Sequence, residues 1–159
     1  MHSLHLRTPK PSILVFRNAK IDFYEARLIC NEIEVWNKKL KQINNENFHN
    51  AFFLNPEESA WSELMELHGK TFRRSRLGLP GNEARVRIQP LLITKQNDIQ
   101  CNITFDYMAK KPVEVFLYSE GNNHLVALDK LPKCTNSICA RKVELNKDAI
   151  SSMYSKKVK

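Results

Sequence analysis

Residues 22–43 read DFYEARLICNEIEVWNKKLKQI, and the period assigned to their apolar residues decides the fold. Ala26, Ile29, Ile33, Trp36, Leu40 and Ile43 recur at steps of three and four, which lays one apolar stripe along a helix. Asp22 with Glu25 three residues on has the spacing of a capping box. This reading predicts a helix over 23–43. Ahead of it, residues 1–11 read as a loose arm and residues 13–16 as a short edge strand.

A second helix is expected after Asn55, with Pro56 at its first position and Glu57 and Glu58 in its first turn. Ala60, Trp61, Leu64 and Met65 or Leu67 would form its apolar face. Gly69 suits the position just past its end, where a positive φ is common.

The second half alternates. Val86, Ile88 and Leu92 are interleaved with polar residues, as are Cys101, Ile103, Phe105 and Tyr107. Folding the two runs about residues 96–97 sets Ile88 opposite Phe105 and Arg87 opposite Asp106, with Pro90 marking an edge. Residues 113–118 and 124–128, joined through Gly121, Asn122 and Asn123, predict another hairpin. A strand over 140–145, a closing helix over 148–154 and a solvated tail over 155–159 complete the chain. The fold class expected is α+β: two N-terminal helices packed on an antiparallel sheet of four to five strands, in a single domain spanning 1–159.

The formal net charge is +8, and two segments carry it. One runs from Lys70 through Arg73, Arg74, Arg76 and Arg85 to Arg87, with Glu83 its one acid. The other, 141–159, holds Arg141, Lys142, Lys147, Lys156, Lys157 and Lys159 against Glu144 and Asp148. Localised excess of this kind points to a polyanion-binding surface. Arginine forks read phosphates bidentately, so Arg73, Arg74, Arg76 and Arg85 are the candidate nucleic-acid contacts. Phe72 is the candidate stacking ring, and Gly78, Pro80 and Gly81 shape a loop beside them. Glutamates of the second helix, and Asp106, are the internal partners that compete for these arginines.

Catalysis finds little support. No Gly-x-Ser-x-Gly, His-Glu-x-x-His or phosphate-binding glycine loop occurs, and His68 reads as a surface residue beside a helix end. His124, Cys134 and Cys139 give three metal ligands without a fourth, so no metal and no cofactor is expected. The four cysteines read as free thiols of a cytoplasmic protein, with a Cys134–Cys139 bridge the alternative in an oxidising compartment. Apolar runs are far too short for a membrane helix. The expectation is a small basic non-enzymatic protein that binds DNA or RNA through an arginine-rich loop. The alternative is an interaction module (adaptor, inhibitor or assembly component) whose basic loop meets an acidic protein, with self-association compatible with either.

Overall fold

Short-range alternation, not helical periodicity, governs the folded chain. A computed structural model describes residues 5–10, 12–39, 61, 64–67, 69–75, 83–95, 99–119 and 124–158, and these are nearly all strand. In chain order the strands are β1 (His5–Pro9), β2 (Ser12–Arg17), β3 (Asp22–Cys30), β4 (Ile33–Lys39), β5 (Met65–Leu67), β6 (Lys70–Arg74) and β7 (Ala84–Ile88). They continue with β8 (Ile93–Lys95), β9 (Cys101–Ala109), β10 (Val113–Ser119), β11 (His124–Leu131) and β12 (Cys134–Glu144). Helix α1 (Lys147–Met153) and β13 (Tyr154–Val158) follow.

The expected helix over 23–43 is therefore a β-hairpin. Ala26, Leu28 and Cys30 are buried at alternate positions, whereas Ile33, a member of the supposed helical stripe, is 65% exposed. Asn31 and Glu32 both take positive φ, 52° and 68°, which turns β3 back into β4 with the twist that paired strands require. Asn31 fixes this turn to the chain ahead of β9, donating its N–H to the Gln100 carbonyl and accepting from the Gln100 N–H on Oδ1. Trp36, on the apolar stripe of the helical reading, is buried as expected but in β4.

The second expected helix is also overturned where its residues are described. Trp61 bridges to Ser75, and β5 pairs antiparallel with β6. Gly69 does have positive φ (73°), but as the turn of that hairpin and not as a helix stop. Asn55, Pro56, Glu57, Glu58 and Ala60 lie outside the described residues.

Two sheets face each other. One has the order β11-β10-β2-β7, and the other β12-β9-β3-β6-β5 with β4 also on β3. Strand β3 carries β9 along one edge, while its other edge is shared by β6 at Asp22 and Phe23 and by β4 beyond them. Phe16 of the first sheet reaches across to Phe23 and Phe105 of the second and to Trp61, at ring-centroid distances of 6.1, 6.0 and 5.9 Å, each edge to face. Trp61 Nε1 donates to the Arg85 carbonyl at 2.8 Å, so the indole is satisfied within the core.

Several expected elements stand in new roles. The hairpin of β10 and β11 and the C-terminal helix are present. Residues 13–16 belong to an inner strand between β10 and β7, because a continuous apolar run suits a strand buried on both faces. Strand β7 pairs with β2 and β9 with β3 and β12, so Ile88 lies opposite Ser12 and Arg87 opposite Ile13. Asp106 accepts from Arg27 instead. The arm and tail expected to be loose pair with each other as β1 and β13, in a small sheet of order β13-β1-β8.

The cysteines are not free. Cys30 bonds to Cys101 between paired residues of β3 and β9, and Cys134 bonds to Cys139. The sulfurs once considered as metal ligands are joined to each other. No helix among the described residues is long and apolar enough to cross a membrane.

Tyr154 closes the small sheet onto the body by donating its hydroxyl to the Leu91 carbonyl at 2.6 Å. Burial pushes this phenol well up, and it also raises Tyr24 and Tyr107. An unfolded chain would ionise its tyrosines near pH ~10. The folded state keeps its protons beyond that point, so stability is intact below it and falls as pH rises above it. Tyr154→Phe is expected to cost roughly 1 kcal/mol at neutral pH. It should also make the alkaline decline shallower, as read by urea midpoints across neutral to strongly alkaline pH. An unchanged alkaline slope would refute the assignment to Tyr154.

Candidate functional site

The arginine segment does not form an open phosphate-reading loop where it is described. Phe72 is 1% exposed, and its ring stacks on Tyr24 with centroids 5.4 Å apart, so no face is left for a base. Arg73 is buried and partnered. Arg74 holds Asp22 with both arms of its fork, Nε to Oδ1 at 2.7 Å and Nη2 to Oδ2 at 3.2 Å. That hydrogen-bonded carboxylate raises the Arg74 pKa. Arg85 Nε donates to Glu83 Oε1 at 2.8 Å, while the other oxygen of Glu83 accepts from Arg17 Nε at 2.6 Å. Arg76, His68 and the Gly78–Pro80–Gly81 loop lie outside the described residues.

The topology nevertheless brings Arg74 and Arg85 to one end with lysines to which the sequence reading gave no binding role. Strand β2 ends at Arg17 and β3 begins at Asp22 in the opposite sheet. Strand β9 ends at Ala109 and β10 begins at Val113, again in the opposite sheet, and β11 and β12 are related in the same way through residues 132–133. Strands β6 and β7 also end and begin here, at Arg74 and Ala84. The register puts these crossings at a single end: Arg17 faces Glu114, Val113 faces Leu131, Ala109 faces Cys134, and Asp22 faces Met108 and Arg74.

The crossings carry lysine. Lys20, Lys110, Lys111 and Lys133 are exposed, and so is Lys130 next to the end of β11. These five take part in none of the ion pairs found among the described residues. Because Ala109 pairs with Cys134, the next residues outward on the two strands are Lys110 and Lys133, side by side. Two carboxylates of this end are held by arginine: Asp22 binds Arg74, and Glu83 binds Arg17 and Arg85. Glu114 lies between Lys130 and Arg17 in the register. Nearby, Asp129 accepts from Arg141 at 2.8 Å.

The backbone of the site is pinned. Ile21 N–H donates to Ser75 Oγ, and Ser75 N–H donates to the Ile21 carbonyl, each at 2.9 Å, which fixes the first crossing. The buried Tyr107 hydroxyl donates to the Pro132 carbonyl at 2.6 Å and fixes the crossing that bears Lys133. The Cys134–Cys139 bridge then closes a bulge in β12 whose Thr135, Asn136 and Ser137 are exposed. A fixed main chain lowers the ordering cost of binding.

No group of three or more His, Cys, Asp or Glu side chains able to hold a metal ion occurs among the described residues. The chain matches no protein-family model, and neither curated proteins nor solved structures give a match.

Proposed function

We propose that the protein is a non-enzymatic binding module whose sheet-crossing end holds a polyanionic partner. The observation that carries this reading is the convergence of Lys20, Lys110, Lys111, Lys130 and Lys133, unpaired among the described residues, on an end where Asp22 and Glu83 are held by arginines. Clustered positive charge of one sign focuses a field that attracts polyanions and makes binding salt-dependent. The buried Phe72 and the internal pairs of Arg74 and Arg85 weigh against the arginine loop as the reading element and shift the role to lysine. Two disulfides favour an oxidising compartment over the cytoplasm expected from sequence.

The test is binding of inorganic polyphosphate at low ionic strength. Lys110→Ala/Lys133→Ala is expected to weaken binding by about tenfold or more, since each ammonium lost removes counterion release. Lys142→Ala/Lys147→Ala removes the same charge away from this end and should have a much smaller effect. Equal losses in the two variants, or no binding by the wild type at ~50 mM salt, would overturn the proposal.

A further inference from the structure

We infer that the polyanion is a sulfated glycan, held by Lys110, Lys111 and Lys133 together with the bridge-closed loop of β12. This rests on the reading of the crossover end as a polyanion site and names its ligand.

Five features of the molecule favour a sulfated glycan over nucleic acid or an acidic protein. Sequence-tolerant nucleic-acid binding relies on aromatic platforms for the bases. Here the large hydrophobic side chains exposed among the described residues are Ile33, Leu64, Met65, Leu91 and Leu92, none of them aromatic. Those same residues speak against a protein partner, because protein interfaces are built on an apolar centre. Ile33 lies beside Cys30 at the opposite end of β3 from the crossings, and Leu91 and Leu92 follow the far end of β7. Leu64 precedes β5, and Met65 lies on that strand, at the distant edge of its sheet from β12.

The available cations are the third feature. Arginine forks suit bidentate phosphate recognition, and the forks of Arg17, Arg74 and Arg85 are each on a carboxylate. The lysines are point charges on flexible stems, suited to single sulfates spaced irregularly along a chain. The fourth feature is the loop itself. Thr135, Asn136 and Ser137 present neutral donors and acceptors beside Lys133, at the start of the same strand. Such groups match sugar hydroxyls, whereas phosphate or carboxylate partners would leave their acceptors idle. An oxidised protein with two bridges also belongs where sulfated glycans are found, outside the reducing cytosol.

Isothermal titration with four probes of matched charge tests the inference: a heparin-derived oligosaccharide, single-stranded DNA, poly-glutamate and inorganic polyphosphate. The oligosaccharide is expected to bind at least about tenfold tighter than DNA or poly-glutamate, and its desulfated form to lose binding. Lys110→Ala/Lys111→Ala/Lys133→Ala should remove the preference with an unchanged melting temperature. A triple alanine variant at Thr135, Asn136 and Ser137, which keeps every charge, should weaken the oligosaccharide and leave polyphosphate unaffected. DNA binding as tightly as the oligosaccharide would overturn the glycan assignment and leave the polyanion reading standing, and so would tighter binding of poly-glutamate. Failure of all four probes would overturn both.

Discussion

Replacing Cys30 and Cys101 together by alanine is expected to remove about 4 kcal/mol of stability and to lower Tm by about 8–16 °C. The two residues are 71 apart in sequence, so the bridge closes a long loop and restricts the unfolded chain severely. Their sulfurs are buried, at the turn end of β3 where it lies along β9, and the alanine pair also leaves a small void. The Cys134–Cys139 bridge spans five residues, and the same relation gives it roughly 2 kcal/mol. Urea unfolding of each double alanine variant measures both terms, and wild type in reductant measures their sum. If loss of the short bridge cost more than loss of the long one, loop closure would not be the source of the stabilisation.

Phe16→Ala is expected to cost about 5 kcal/mol, the upper range for a large core truncation, because the ring serves both sheets at once. Phe16 is fully buried and meets Phe23, Trp61 and Phe105 edge-on. Each such pair adds on the order of 0.5–1.5 kcal/mol beyond buried area. Phe105→Ala has one of these ring contacts to lose, to Phe16, and should cost less. A double-mutant cycle between Phe16 and Phe105 should return a coupling within that pair range. A Phe16→Ala loss below about 2 kcal/mol would mean that the sheets repack around the void.

Much of the β-structure was legible in the sequence, but its partners were not. The alternation in 101–107 marks β9, and two apolar runs separated by the sequence Gly-Asn-Asn mark the hairpin of β10 and β11. Alternation says which face is buried but not which strand lies alongside, and in two facing sheets those neighbours come from distant sequence. Between 22 and 43, Ala26 and Ile33 fit helical steps, while Ala26, Leu28 and Cys30 fit a strand equally well. The deciding residues are Asn31 and Glu32, whose positive φ values lack the glycine that usually announces such a turn.

The site divides in the same way. Arginine-rich character was visible, and so was Glu83 two residues from Arg85, but the carboxylate that takes Arg74 is remote: Asp22 lies 52 residues away. Lys110, Lys111 and Lys133 looked unremarkable because only the paired strands β9 and β12 bring them together. The Cys30–Cys101 bridge had no spacing signal at all, since each cysteine fitted an apolar position of its own element.

The pairing of β1 with β13 decides how this protein would answer a pulling force. His5 lies opposite Val158 and Pro9 opposite Tyr154, so tension on the two ends loads the ladder one rung at a time. Strand β13 would peel away as a zipper does, at low force, while β1 stayed held by β8. Load would then pass to the body, where the Cys30–Cys101 bond puts a covalent stop across residues 30–101. Under load, extension would therefore be small at first and then resisted.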